Sequence, residues 1–167
     1  MNLEKRTSVL VLAAMMALTM TAPIVLGQES GSSNGKERTI VGAWRTIVTA
    51  RNCQTGDALG SLKGLFTFNE GGTMSEYGIG PGQTPALRSP GHGVWHRNPG
   101  WQDYSFAFTY YRYDANGIFL GSQKVKASLH LGTSGDEFTT SSTIEVLDAH
   151  DNLIGTGCGT AAGTRFQ

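Results

Sequence analysis

Apolar and polar residues alternate one by one along most of the chain after residue 37, a pattern typical of β-strands with one buried face. The alternation is clearest where Tyr104, Phe106 and Phe108 are separated by Ser105 and Ala107. Short stretches of Gly, Asn, Asp and Pro separate the alternating segments, as expected for turns. The sequence therefore predicts strands at residues 38–51, 61–69, 73–77, 92–97, 104–111, 118–131, 137–147 and 153–166.

The connections between these segments indicate how the strands are ordered. Most are short, and pairs such as Asn116-Gly117 accept the positive φ angles that tight hairpins require. The longest irregular connection is 78–91. Sequential strands joined by hairpins form an up-and-down meander, and closure removes its exposed edges. We therefore predict an all-β fold, a single antiparallel up-and-down β-barrel of about eight strands, with an open sandwich as the alternative.

Residues 1–27 have the layout of a secretory signal peptide. Lys5 and Arg6 precede a long apolar run, Pro23 interrupts it, and Gly27 supplies a small residue for a signal peptidase. An uncleaved anchor is the alternative, since the apolar run approaches the roughly 20 residues that span a bilayer. We expect cleavage, so that the protein is periplasmic or secreted.

Residues 28–37 are small and polar and are predicted to form a flexible leader, which places the β-barrel domain at residues 38–167. The whole chain has 13 basic and 13 acidic side chains, and it has no cluster of Lys and Arg to neutralise phosphates. We therefore exclude a nucleic-acid partner. No apolar run after the signal is long enough for a membrane span in the mature chain. The oligomeric state is left open.

The chain has two cysteines, Cys53 and Cys158. In the oxidising environment of an exported protein, an even pair is first of all a disulfide candidate. Cys53 follows the first predicted strand and Cys158 lies in the last, and these strands are neighbours in a closed meander. The sequence therefore predicts a disulfide that fastens the seam of the barrel, with two free buried thiols as the alternative.

One set of aromatic residues alternates along the second and fifth predicted strands and provides the candidate ligand-binding residues. The set is Phe66, Phe68, Tyr104, Phe106, Phe108 and Tyr110. These side chains either line an apolar cavity or pack a solid core, and the buried tyrosine hydroxyls favour a cavity because they need partners. Glu76 is a weak catalytic candidate, since burial raises the pKa of a carboxyl and suits it to proton transfer.

Other chemistry is poorly supported by the sequence. His92 and His96 share one face of a strand, but the nearest acidic residues have no ligand spacing, so no metal site is predicted. The chain has no nucleophile elbow, phosphate-binding loop or dinucleotide fingerprint. We therefore predict no cofactor.

Gly42 and Trp44 near the start of the first strand, with Arg165 near the end of the last, resemble the signature of the calycins. The resemblance implies that the tryptophan closes one end of the barrel and that the arginine packs across the indole. From Gly91 to Phe166 the spacing is also similar to the lipocalin-like and allene-oxide-cyclase-like barrels of exported bacterial proteins. These groups include ligand carriers and cyclases, so the resemblance leaves the function open.

Three hypotheses follow for the function. The first is an exported barrel that binds a small, mostly apolar molecule in its interior. The second is a cofactor-free cyclase or isomerase in which the barrel shapes a reactive chain. The third is a solid barrel with a structural or interaction role. A cavity separates the third hypothesis from the others, and an ionisable group deep in that cavity favours the second over the first.

Overall fold

The structure, a computed structural model, describes residues 39–167. The predicted signal peptide and leader therefore lie outside the described residues. The strands are β1 (Gly42–Arg51), β2 (Ala58–Phe68), β3 (Thr73–Ile79), β4 (Gly91–Arg97), β5 (Asp103–Tyr113), β6 (Phe119–Leu131), β7 (Glu137–Leu147) and β8 (Leu153–Arg165). A short 3-10 helix, Pro85–Leu87, lies between β3 and β4. No helix within residues 39–167 is long and apolar enough to cross a membrane.

The strands form one closed antiparallel barrel in sequence order. Each strand pairs with the next, and β1 also pairs with β8 from Trp44 opposite Arg165 to Arg51 opposite Cys158. The predicted all-β up-and-down barrel is confirmed, and the open sandwich is wrong. Closure pairs both edges of the meander, which satisfies the backbone groups that an open sheet would leave exposed.

The strand limits differ from the sequence prediction mainly near one end of the barrel. β2 begins at Ala58 rather than residue 61, because its first residues pair with the end of β1 across a bulge. These residues are exposed on both faces, so they carry no apolar alternation for the sequence to reveal. β3 likewise continues to Ile79, where glycines interrupt the pattern.

One end of the barrel, which we call the closed end, is filled by large side chains. It is the end where β1 begins and β8 finishes. Trp44 is completely buried there, its ring centroid lies 4.9 Å from that of Phe138, and its Nε1 donates to the carbonyl of Ile40 at 2.9 Å. The same core contains Ile40, Phe68, Met74, Tyr104, Leu129, Leu131 and Phe138.

Arg165 covers the indole of Trp44 at this end. Its Cζ lies 4.2 Å from the ring centroid, and its guanidinium donates to the carbonyls of Thr39, Val41 and Gly135 at 2.6–2.9 Å. Gly42 has a φ of +134°, and a Cβ at this position would lie 2.7 Å from Arg165 Nη1. The packing of this arginine across the indole, which was expected from these residues, is therefore present.

A disulfide joins Cys53 to Cys158, as predicted, with their Cα atoms 5.2 Å apart. Cys53 lies in the connection after β1, and Cys158 lies on β8, so the bond crosses the seam between the first and last strands. The two residues are 105 positions apart in sequence. The bond therefore closes a covalent loop through almost the whole barrel.

The inner face of β8 consists of very small residues. Alternation from the pairing of Arg165 with Trp44 places Gly155, Gly157, Gly159, Ala161 and Gly163 on this face. At Gly163 a Cβ would lie 2.3 Å from the Phe138 ring, so the closed end needs glycine here. Nearer the opposite end, which we call the open end, the same small residues leave space inside the barrel.

Candidate functional site

An interior cavity of about 150 Å³, which we call the inner chamber, lies towards the open end. Its wall is mostly apolar and includes Val48, Phe66, Phe106, Phe108, Val125, Ile144 and Ala161. Polar atoms are contributed by Glu76, Arg88, Tyr110, Gln123, Thr140 and Ser142. An apolar cavity of this size accommodates a molecule about as large as benzene.

All six candidate aromatic residues lie on the inward-facing positions of β2 and β5, but they divide into two groups. Phe66, Phe106, Phe108 and Tyr110 line the inner chamber. The remaining two, Phe68 and Tyr104, belong to the packed core of the closed end. The barrel is therefore part solid and part hollow.

The rings that line the chamber support one another. The Phe66 centroid lies 5.9 Å from that of Phe106 and 6.1 Å from that of Phe108, in edge-to-face arrangements. Phe108 and Tyr110 are stacked at 6.4 Å. Such pairs add about 0.5–1.5 kcal/mol beyond the burial of their area. The wall is thus stabilised by contacts among its own aromatic rings.

Glu76 lies inside the barrel on β3 and is only 4% exposed. It is not alone there, because Arg88 forms an ion pair with it. Arg88 Nη1 donates to Glu76 Oε1 at 3.3 Å and to the carbonyl of Gly78 at 3.2 Å, and Nη2 donates to Oε2. A Cβ at Gly91 would lie 2.8 Å from Glu76 Oε2, so glycine there makes room for the carboxylate.

Burial dominates the electrostatics of this pair. It raises the pKa of Glu76, and the Arg88 guanidinium opposes the shift without cancelling it. Arg88 Cζ also lies 3.6 Å from the ring centroid of Tyr110. Burial raises the pKa of Tyr110 as well, so its hydroxyl keeps its proton and is available as a donor.

A second hollow of about 300 Å³, the outer chamber, adjoins the inner one at the open end. The two share Leu62, Arg88, Tyr110 and Gln123 in their walls. The 3-10 helix segment provides one side of the outer chamber through Gln83, Thr84 and Leu87, and β5 provides another through Arg112 and Tyr113. The inner chamber is therefore approached from the open end.

The candidate residues predicted from the sequence did not include two arginines of this site, Arg88 and Arg112. The inward position of Arg112 could have been predicted, because it continues the alternation of inward-facing residues from Tyr110 on the most regular strand. The position of Arg88 could not have been predicted in this way, because it lies in the irregular segment after the 3-10 helix.

The other titratable candidates lie on the outside of the barrel. His92 and His96 are exposed with Val94 on the outer face of β4. Within residues 39–167 no group of three or more His, Cys, Asp and Glu is placed to hold a metal ion. A wider hollow of about 500 Å³, with Lys126, Ser128 and other polar residues, lies on the outer surface. It is a more open hollow than the interior cavity, so the interior is the better candidate for a binding site.

The chain has little detectable similarity to known proteins. No protein-family model matches the chain, and no curated protein matches it. Among solved structures it is similar to an S-type phycobiliprotein lyase, CPES, from Guillardia theta, with a TM-score of 0.41 and 12% sequence identity. The match covers 78% of this chain and 90% of the lyase. A likeness this weak says nothing about the function of the present chain.

Proposed function

We propose that this protein binds a small, mostly apolar molecule in the inner chamber. The mostly apolar interior cavity of about 150 Å³ is the observation that carries the proposal. Transfer of apolar surface from water into such a site contributes roughly 25 cal/mol per Å². A solid barrel would have large side chains facing β8 at this level, whereas Gly159 and Ala161 leave the space open.

We also propose that the protein acts after export, in a periplasm or outside the cell. The Cys53–Cys158 disulfide supports this, because such bonds persist in oxidising compartments and are rare in reducing ones. The signal-peptide layout of residues 1–27 supports it independently.

A neutral fluorescent dye, N-phenyl-1-naphthylamine, tests the binding proposal by titration of the unmutated protein, Ala161→Leu and Ala162→Leu. The dye is larger than benzene, so only its phenyl ring is expected to occupy the inner chamber, with its naphthyl group in the outer chamber. Ala161 lines the chamber, while its neighbour Ala162 is exposed on the outer face of the same strand. We expect one dye per chain, at least a tenfold loss of affinity in Ala161→Leu and no change in Ala162→Leu.

Ile144→Phe provides a second filling variant from the neighbouring strand β7, in case Ala161→Leu does not fold. Circular dichroism checks that each variant keeps its barrel. Absence of binding by the folded, unmutated protein across a panel of neutral apolar dyes would favour the solid-barrel hypothesis. Equal losses in Ala161→Leu and Ala162→Leu would place the dye outside the chamber.

A cofactor-free cyclase or isomerase is the second candidate function, and the buried Glu76 in the chamber wall favours it. Burial raises the pKa of this carboxyl, which brings it closer to the range useful for proton transfer near neutral pH. An isomerase yields a product of the same mass as its substrate. Chromatography with mass detection on a panel of unsaturated acids and epoxides tests this, and Glu76→Gln is expected to abolish any conversion while retaining dye binding.

A further inference from the structure

Two arginines face each other at the mouth of the inner chamber. Arg88 and Arg112 are partners in an isolated antiparallel β-bridge, and both line the outer chamber. Side chains of directly paired residues leave the sheet on the same side, and like charges at such positions destabilise each other. The arrangement therefore favours an anion close to the two guanidinium groups.

Glu76 supplies one negative charge, and its contacts are with Arg88. Arg112 donates from Nη2 to the carbonyl of Leu147 at 3.0 Å. Its Nε is buried and has no hydrogen-bond partner among residues 39–167. A buried N–H without a partner costs about as much as a lost hydrogen bond.

Asp148, the acidic residue next to Leu147, forms hydrogen bonds within its own turn. Asp148 accepts hydrogen bonds from the backbone N–H groups of His150 and Asn152 at 2.8 and 2.9 Å, and from Asn152 Nδ2 at 3.0 Å. It holds the β7–β8 turn together and is partly buried. Within the described part of the chain, no ion pair joins Arg112 to a carboxylate, so Glu76 neutralises Arg88 and the charge of Arg112 is left unbalanced.

We propose that the bound molecule is an amphipathic carboxylic acid, with its apolar part in the inner chamber and its carboxylate against Arg112 in the outer chamber. The assignment rests on the proposed binding function. A guanidinium presents parallel N–H donors that match the two oxygens of a carboxylate. After the Glu76–Arg88 pair, a single positive charge remains at the mouth, and a monoanion matches it. A phosphate dianion would leave an excess negative charge in a partly buried site.

Two neutral side chains lie where the two chambers meet, and they complete the head-group site. Tyr110 and Gln123 line both chambers, so their hydroxyl and amide groups can donate to a carboxylate placed beside Arg112. The ligand is oriented by this arrangement, because only the outer chamber offers charged donors without a full set of partners.

The test compares four ligands of one chain length by displacement of N-phenyl-1-naphthylamine at pH 8. They are octanoate, octanol, octyl phosphate and octyltrimethylammonium. We expect octanoate to bind at least tenfold more tightly than octanol or the cation. Equal affinity of octanoate and octanol would overturn the carboxylate assignment while leaving the binding function intact. Tightest binding of octyl phosphate would overturn it in favour of a phosphate head group. Failure of the dye and all four ligands to bind would instead refute the proposed function itself.

Substitution then locates the head group. Arg112→Gln is expected to weaken octanoate about tenfold or more, the range for losing a charge-assisted hydrogen-bonded pair, and to leave octanol unchanged. Arg45→Gln is the matched control, because Arg45 is exposed on the outer face of β1. Arg112→Lys replaces Arg112→Gln if that variant does not fold. It keeps the charge but loses the paired donors, so an intermediate loss of octanoate affinity is expected. An equal effect of Arg112→Gln on acid and alcohol would contradict the proposal.

Discussion

Removal of the Cys53–Cys158 disulfide should destabilise the barrel by about 4–5 kcal/mol. The bond closes a loop of 105 residues, and in the chain-entropy model a cross-link over about a hundred residues removes that amount of free energy from the unfolded state. The seam between β1 and β8 keeps its backbone pairing without the bond, so the folded structure is expected to be unchanged. The effect therefore acts mainly through the unfolded chain.

Equilibrium unfolding in urea measures this effect in the Cys53→Ala/Cys158→Ala variant. With a slope of about 1–3 kcal/mol per M, the midpoint should fall by roughly 1.3–5 M. The unmutated protein in reducing buffer is the control, and a matching loss there shows that the substitutions themselves are neutral. A loss under about 1 kcal/mol in both samples would refute the loop-entropy explanation. Two reactive thiols in denatured, unreduced protein would refute the bond itself.

Three further predictions concern Trp44 at the closed end, the buried carboxyl of Glu76 and export. Trp44→Ala should cost about 3–5 kcal/mol in urea unfolding, and a loss under about 1 kcal/mol would contradict its role in closing the barrel. Because burial raises the folded-state pKa of Glu76 above its ordinary 4.5, the folded state binds the proton more tightly. The free energy of unfolding should then fall as the pH rises through that folded-state pKa, and Glu76→Gln should flatten this slope. Intact mass of the exported protein should begin near Gln28, and a mass that includes residues 1–27 would contradict cleavage.

Much of the architecture could be predicted from two features. Alternation within each strand is a local sequence pattern, and the closure of the barrel follows from the sequential order of the strands. Phe106 and Phe108 face inward because every second residue of β5 does so. The neighbours Trp44 and Arg165 could be paired because the first and last strands of a meander must meet when it closes. The disulfide followed from the same closure.

The site was only partly predictable because it depends on how the strands are staggered around the barrel. Alternation places both Phe68 and Phe66 inside, but it does not tell which lies in the solid end and which in the chamber. Arg88 enters the barrel from a segment without periodicity, so its ion pair with Glu76 had no signal in the sequence. The alternation of apolar and polar residues does not predict where charged side chains from irregular segments lie.

Closure between β1 and β8 also governs how the protein can fold. Arg165 donates to the carbonyl of Val41, which is 124 positions earlier in the chain. Contacts of such long range make folding slow, since most of the loop-closure entropy is lost before they form. Until β8 is in place, β1 and β7 remain open edges beside an exposed aromatic interior, which is a state prone to aggregation. A chain interrupted before Leu153 should therefore fail to fold, however complete its first seven strands are.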